Sequence, residues 1–221
     1  MDEPDRQELL TSLTTEHFTL QGARGATISE SSSRAALYIS AVSSALIALG
    51  FIGQASDLGT AFDVFALTVL PTLFALGVFT FVRLIESSVE DILYGRAINR
   101  IRSYYLEIAG PESRYFMLGG HDDAPGVLAN MGLRPTRWQL YFTIASMIGV
   151  VNSVVGGTAV ALLVAIAAHA ALGIAAAAGG AVALVSVAIH LRYDRWRHEQ
   201  SGGYTEAPLF PSPEAGETRG R

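Results

Sequence analysis

Three consecutive residues, His121, Asp122 and Asp123, form the densest cluster of side chains in this chain that could do chemistry. An imidazole and two carboxylates could bind a metal ion or act as a pair of general bases. Three sequence neighbours cannot all point at one ion, however, and no other histidine shares a metal-ligand spacing with them. Because these are also turn-forming residues, a solvated turn is the favoured interpretation. The other histidines are His17, His169, His190 and His198.

Asn152 is the one strongly polar residue deep inside a long apolar stretch. Its amide is predicted to form a hydrogen bond between helices, which contributes about 0.6 kcal/mol on average in a membrane. The alternative is that Asn152 lines a polar path. A transport pathway usually also needs buried ionisable groups, and the predicted spans carry none at mid-bilayer, which argues against an ion-coupled or proton-coupled transporter. A pore formed by several copies stays open as an alternative.

The N-terminal segment carries polar side chains that could recognise a ligand or a partner, although solvated helix faces are the favoured interpretation. The chain has no glycine-rich phosphate loop, no HExxH motif and no GxSxG motif. It also has no cysteine, which excludes disulfide and thiolate chemistry. We therefore predict no catalytic, cofactor-binding or metal-binding residue, and a protein that is not an enzyme. The N-terminal candidates are Glu16, His17, Arg24, Glu30 and Arg34.

Long apolar stretches must position these residues. Of the 221 residues, 50% are hydrophobic and 16% are charged, against about 25% charged in a typical soluble domain. No Asp, Glu, Lys or Arg occurs between Gln139 and Leu191, and one span needs about 20 residues. The first apolar run begins near Ala35, which is not the pattern of a cleavable signal peptide. We predict transmembrane helices at residues 35–53, 61–82, 138–168 and 170–190, with the last turn near His169.

The arginines indicate an orientation. All 15 basic residues are arginines, and they fall within residues 6–34, 83–137 and 192–221. Since basic residues near spans stay in the cytoplasm, both termini and the central segment are predicted to be cytoplasmic in a multi-pass protein of a bacterial inner membrane. The net charge of −5 argues against a nucleic-acid partner.

The polar central segment begins as an amphipathic helix, which Gly110 and Pro111 are predicted to end. Residues 112–137 are predicted to be irregular, but their apolar groups favour folding back onto that helix or lying on the bilayer surface. The fold class is an all-α membrane protein with four transmembrane helices as two hairpins and a cytoplasmic helical segment between them. The predicted domains are a cytoplasmic N-terminal helical segment (1–34), hairpin 1 (35–82), a cytoplasmic segment (83–137), hairpin 2 (138–190) and a cytoplasmic, mostly disordered tail (191–221).

Two further patterns concern partners. Small residues recur every three or four positions in the spans, which lets helix backbones approach closely in lipid. They predict both packing within the chain and a homo-oligomer. Residues 208–213 of the tail could form a short partner-binding motif, although disorder is favoured. The small residues are Ser40, Ser44 and Ala48 in the first span, Ser146, Gly149, Ser153 and Gly157 in the third, and Ala175, Gly179 and Ala183 in the fourth.

The stretches LTTEHFTLQGARGATISESSSRAALYIS and LYGRAINRIRSYYLE resemble those of uncharacterised actinobacterial membrane proteins. The layout of the first half, a cytoplasmic N-terminus, a span pair and a cytoplasmic helix, is similar to that of SLATT-type and cyclase-linked antiphage transmembrane effectors. That resemblance implies an oligomer that perturbs the membrane. The second span pair departs from the two-span pattern of those effectors.

Three functional hypotheses follow. The first is a non-enzymatic oligomeric scaffold or signalling component of the inner membrane, whose cytoplasmic segment receives a cytoplasmic protein or a small-molecule signal. The second is a small channel or membrane-perturbing effector. The third, ranked last, is a transporter or membrane enzyme that uses His121, Asp122 and Asp123. None of the three needs a cofactor, and the lipid bilayer is a partner in all of them.

Overall fold

A computed structural model of the chain describes residues 2–133, 143–204 and 206–213. All regular secondary structure in these ranges is helical, as predicted. Four of the helices contain stretches long and apolar enough to cross a membrane, so the chain is a multi-pass membrane protein. The elements are α1 (Glu3–Ala55), α2 (Thr60–Ala109), a 3-10 helix (Gly110–Tyr115), α3 (Ala124–Asn130), α4 (Ile144–Ala167) and α5 (Leu172–Tyr204).

The N-terminal polar residues and the first predicted span belong to one uninterrupted helix, α1. Gly22 and Gly25 each cost about 1 kcal/mol in helix propensity relative to Ala, yet neither interrupts α1. Both glycines face open space inside α1, and threonine hydroxyls in the preceding turns donate to carbonyls four residues earlier. The local cost is therefore too small to interrupt a helix of 53 residues.

The predicted helix ends are confirmed where the backbone takes left-handed angles. Gly110 has φ +51° at the end of α2, and His169 has φ +49° between α4 and α5. Residues 112–133 are less irregular than predicted, because α3 and the last four residues of the 3-10 helix lie within them. Residues 134–137 of the predicted irregular segment lie outside the described residues. The third span was predicted to begin at residue 138. Residues 138–142 lie outside the described residues, and α4 begins at Ile144.

Contacts divide the chain into two compact units. Unit 1 contains the described residues of Met1–Glu30, Ser87–Tyr141 and Ser201–Arg221, and unit 2 contains those of Ser31–Glu86 and Phe142–Gln200. The predicted polar segments thus fall mainly in unit 1, and the described residues of the four predicted spans fall in unit 2.

Unit 2 has a core of aliphatic and aromatic side chains from α1, α2 and α4. The glycines of α4 allow large side chains of α2 to approach its backbone. Gly156 lies against the ring of Phe74, and Gly149 lies against Phe81. The buried members of the core are Ala35, Tyr38, Val42, Leu49, Ala66, Leu70, Leu73, Phe81, Leu84, Ile85, Ala145, Ile148 and Val155.

Helices α4 and α5 meet at two glycines. A Cβ atom on Gly157 would lie 2.5 Å from the carbonyl oxygen of Gly179, and a Cβ atom on Gly179 would lie 2.5 Å from the carbonyl oxygen of Gly157. Ala183 packs at the same place. The predicted close packing of the third and fourth spans is confirmed, and it depends on the absence of side chains at these two positions.

We expect Gly179→Ala to destabilise the protein by about 1–3 kcal/mol, the usual cost of inserting a methyl group into a packed interior. The added carbon would press on the Gly157 carbonyl oxygen and on Ala161. The measurement is thermal unfolding in mild detergent. The adjacent Gly180 faces open space, so Gly180→Ala is the matched control and should leave the melting temperature unchanged or higher. Equal melting temperatures for the two variants would contradict the packing described.

Candidate functional site

The cluster His121, Asp122 and Asp123 lies between the 3-10 helix and α3 in unit 1. The interpretation as a solvated turn is wrong for the two aspartates, because Asp122 is 0% exposed and Asp123 is 6% exposed. Only His121 is exposed. Asp123 is the N-cap of α3, and its Oδ1 accepts a hydrogen bond of 2.8 Å from the N–H of Gly126. A helix N-terminus needs such an acceptor because its first N–H groups have no partner within the helix.

Side chains of α2 hold this loop by its carbonyl groups. Asn99 Nδ2 donates to the His121 oxygen at 2.8 Å, and Ser103 Oγ donates to the Gly120 oxygen at 2.5 Å. Arg96 Nε donates to the Asp122 oxygen at 2.7 Å. The prediction that this segment folds back onto the amphipathic helix is therefore confirmed.

The Asp122 carboxylate binds the backbone of the C-terminal tail. Its Oδ1 accepts the Phe210 N–H at 2.7 Å, and its Oδ2 accepts the Leu209 N–H at 3.1 Å. The Asp122 N–H in turn donates to the Phe210 oxygen at 3.1 Å. Arg100 Nε completes the set with a 2.8 Å ion pair to Oδ2. A fully buried carboxylate is costly without such donors, and here it has three.

Asp123 binds the same tail two residues further on. Its Oδ2 accepts both the N–H and the hydroxyl of Ser212, each at 2.7 Å. Together with the bond from Gly126, the Asp123 carboxylate also accepts three hydrogen bonds from the protein.

Two arginines of α2 bind the beginning of the tail segment. Arg96 Nη2 donates to the Glu206 carbonyl oxygen at 2.8 Å, and Arg100 Nη1 pairs with the Glu206 carboxylate at 2.8 Å. Arg100 Nη2 also lies 3.4 Å from the Ala207 oxygen. We refer to Arg96, Arg100, Asp122 and Asp123 as the tail-binding site, and to residues 206–213 as the docked segment.

The charge state of the site follows from these bonds. Burial is the largest influence on Asp122 and raises the pKa of its carboxyl, but the donors from Phe210, Arg100 and Leu209 together outweigh it and lower the pKa below its usual value. The pKa of Asp123 is lowered in the same way, by Ser212 and Gly126 against the effect of burial. Both carboxylates therefore stabilise the docked segment above the usual Asp pKa of about 3.9, and this contribution is lost as the pH falls through their lowered pKa values.

The C-terminal region differs from the mostly disordered tail predicted for residues 191–221. Helix α5 continues to Tyr204, and Arg197 donates to both carboxylate oxygens of Glu86 at 2.7 and 2.6 Å within unit 2. Residues 206–213 are docked on unit 1, while 214–221 lie outside the described residues. The alternative of a short binding motif at 208–213 describes the docked segment better than disorder does.

The N-terminal candidates are not gathered into one site. Arg24 forms a two-bond ion pair with Asp91, with Nε–Oδ1 at 2.7 Å. His17 packs against Tyr105 with ring centroids 5.7 Å apart, and burial, followed by the charge of Arg102, lowers the pKa of its imidazole. Glu16 is exposed. Glu30 belongs to unit 1 and Arg34 to unit 2.

A second group of polar side chains is buried among the spans of unit 2. Tyr38 of α1 donates its hydroxyl to Asn152 Oδ1 at 3.0 Å, so the predicted bond between helices is confirmed. Gly77 of α2 lies against both groups, and a side chain there would collide with them. Asn152 is 0% exposed, and its Nδ2 has no hydrogen-bond partner in the part of the chain that the structure describes.

His190 extends this group and was not predicted. Its Nδ1 lies 2.7 Å from the Ser186 carbonyl oxygen and 3.5 Å from Ser153 Oγ, and Ser153 and Ser186 share a 3.0 Å hydrogen bond. The His190 ring packs edge-on against Phe81 at 4.5 Å. A bond to a carbonyl oxygen requires a hydrogen on Nδ1, so the His190 ring is the donor to Ser186. We call Tyr38, Asn152, Ser153, Ser186 and His190 the polar seam.

Comparison with known protein families, curated proteins and solved structures finds no match. The resemblance to actinobacterial membrane proteins and to SLATT-type effectors therefore stays a prediction. Within residues 2–133, 143–204 and 206–213, no three His, Asp or Glu side chains are grouped as a metal site would require. The geometry itself must indicate what the chain does.

We expect Asp122→Asn to release the docked segment. The amide presents an N–H₂ group in place of one acceptor and carries no charge for Arg100, and a hydrogen bond to a charged group contributes about 1.5–3 kcal/mol. Hydrogen–deuterium exchange of residues 206–213 measures the release, because the N–H groups of Leu209, Phe210 and Ser212 are protected only while docked. Their exchange should accelerate at least about tenfold, which corresponds to about 1.4 kcal/mol.

His121→Ala is the matched control for this experiment. It changes the exposed neighbour, and the carbonyl oxygen that Asn99 binds stays in place. Protection of residues 206–213 should persist in this variant at pH 7. In the wild-type protein, exchange corrected for intrinsic rates should also accelerate as the pH falls below about 4. Unchanged protection in Asp122→Asn would contradict the role given to the buried carboxylate.

Proposed function

We propose that the chain is a non-enzymatic, oligomeric scaffold or signalling component of a bacterial inner membrane, with both termini in the cytoplasm. Its unit 1 would receive the partner or signal. The observation that carries this proposal is the tail-binding site. Two buried carboxylates and two arginines bind a backbone segment of the chain itself.

The hydrogen bonds of the site support a binding role over a catalytic one. A general base needs a carboxylate oxygen within reach of a substrate proton. The oxygens of Asp122 and Asp123 face main-chain N–H groups, a hydroxyl and a guanidinium instead. Their lowered pKa values also make them weaker bases. The third hypothesis, an enzyme or transporter built on these residues, is therefore disfavoured.

The arginine distribution supports the orientation. Putting an arginine at mid-bilayer would cost at least about 2.5 kcal/mol, and the arginines of the tail-binding site lie on α2 beyond the predicted second span. Arg24 and Arg100 belong to unit 1, where they pair with aspartates. Placing residues 6–34, 83–137 and 192–221 on the cytoplasmic side satisfies the positive-inside rule for all 15 arginines.

The first span supports an oligomer. Ser40 and Ser44 of α1 were predicted to pack against another helix, but both are exposed in the single chain. Small residues at such spacing let two helices approach closely in lipid. The face of α1 that carries Ser40 and Ser44 is therefore open to a second copy of the chain.

We expect Ser44→Leu to shift the protein toward the monomer, because a larger side chain would separate two helices that meet at this face. Crosslinking in native membranes, followed by blue-native electrophoresis in mild detergent, measures the oligomeric state. Ser43→Leu is the matched control, since residue 43 is also exposed but points about 100° away around the helix. A wild-type protein that is strictly monomeric at native expression levels would contradict the proposal.

The polar seam favours a second candidate, a small channel or membrane-perturbing effector. Polar and ionisable groups inside a membrane are costly and often functional. Here His190 and Asn152 are buried in unit 2, and the Asn152 Nδ2 has no hydrogen-bond partner among the described residues. The predicted likeness to antiphage effectors points the same way.

For this second candidate, overexpression should collapse the membrane potential, and Asn152→Leu should change the effect by removing the polar group at the centre of the seam. A potential-sensitive dye measures the result in cells. Thr158→Leu is the control on the same helix, because Thr158 is exposed and its hydroxyl donates to the Val154 carbonyl oxygen of its own helix. The absence of any leak from liposomes containing the purified protein would count against a channel.

A further inference from the structure

The docked segment is bound through its backbone in a fixed register. Pro208, Pro211 and Pro213 have no N–H group, so the N–H groups available from residue 208 to residue 213 are those of Leu209, Phe210 and Ser212. All three are donated to the carboxylates of the tail-binding site. A shift by one residue would place a proline opposite a buried oxygen and leave that oxygen without a donor.

The side chains of the docked segment contribute unequally to binding. Leu209 is 62% exposed and Phe210 is 40% exposed, so these two side chains contribute little to recognition by the site. The Ser212 hydroxyl, in contrast, donates a hydrogen bond of 2.7 Å to Asp123 Oδ2. Glu206 pairs with Arg100, but it is largely exposed, and exposed ion pairs contribute little.

We propose that the tail-binding site is a general binding site for proline-rich peptides with an acidic first residue and a seventh-position Ser or Thr, and that residues 206–213 are its resident ligand. In the sequence EAPLFPSP, the recognised groups are the acidic side chain at position 1, N–H groups at positions 4, 5 and 7, and the hydroxyl at position 7. A partner with this pattern would displace the tail. This inference rests on the proposed function, because it names the kind of partner that unit 1 receives.

The resident ligand makes the site selective. Prolines fix their own φ angles in advance, which lowers the entropy lost on binding. A segment tethered in the same chain competes at an effective concentration of about millimolar. Only a peptide that donates at the same three positions, or a partner at high local concentration, would replace it. Phosphorylation of the seventh-position Ser would weaken binding, since it adds a charge of about −1.5 to −2 beside Asp123.

The test uses a fluorescent synthetic peptide, EAPLFPSP, and the purified protein in detergent. A variant that ends at Thr205 lacks the resident ligand and should bind the peptide saturably, at least tenfold more tightly than the full-length chain. The full-length Phe210→Pro variant removes one essential N–H group while keeping the tail, and it should also bind more tightly than wild type. This second variant keeps the test decisive if the shortened chain fails to fold.

Modified peptides test the recognition itself. Methylation of the Phe210 nitrogen should weaken binding to the shortened chain at least tenfold, because Asp122 Oδ1 loses its donor. Methylation of the Ala207 nitrogen is the matched control, since that N–H is not among the donors to Asp122 or Asp123. A peptide phosphorylated on Ser212 should also bind at least tenfold more weakly.

The inference is overturned if neither variant binds the peptide although both retain helical circular dichroism, or if the two methylated peptides bind equally well. Crosslinking of the same samples separates this result from the proposed function. Oligomers without peptide binding would overturn the binding site alone, whereas monomers that bind the peptide would overturn the oligomeric scaffold alone.

Discussion

The stability of unit 1 depends on the hydrogen-bond donors to the fully buried carboxylate of Asp122. An unpaired charge in an apolar interior is so unfavourable that the group would protonate or the structure would open. Arg100 supplies one donor, and the N–H groups of Leu209 and Phe210 supply two more. The docked segment is therefore part of the electrostatic balance of unit 1, and its removal would leave the carboxylate with one partner instead of three.

A different constraint governs unit 2, where the helices must pack without a hydrophobic driving force between them. In lipid, close backbone approach and interhelical hydrogen bonds replace that force. The contact of Gly157 with Gly179 supplies the first, and the bond of Tyr38 to Asn152 supplies the second. Gly77 connects the two effects, because only a residue without a side chain leaves room for the Tyr38–Asn152 pair beside α2.

Much of the fold could be predicted from the sequence, because its signals are local. Composition and the uncharged run through Asn152 predict the apolar helices, and Gly110 and His169 mark helix ends by their own backbone preferences. The site could be predicted only as a list of residues. An aspartate can occupy either a solvated turn or a buried site, and its sequence neighbours do not distinguish the two. For Asp122 the deciding contact is with Phe210, 88 residues further along the chain. His190 was missed for a similar reason, since its burial depends on Ser186 and on Phe81 of another helix.

The arrangement of charges and hydrogen-bond donors around the two carboxylates explains why the tail-binding site binds backbone and not a free ion. Each carboxylate has a cationic or N-cap donor on one side, Arg100 for Asp122 and the Gly126 N–H for Asp123. These donors lower the net attraction for a further cation, yet they leave oxygen lone pairs directed at the docked segment. Neutral N–H groups satisfy those lone pairs without adding charge to a buried place. A peptide whose prolines remove every competing N–H therefore fits the site better than a metal ion or a basic side chain would.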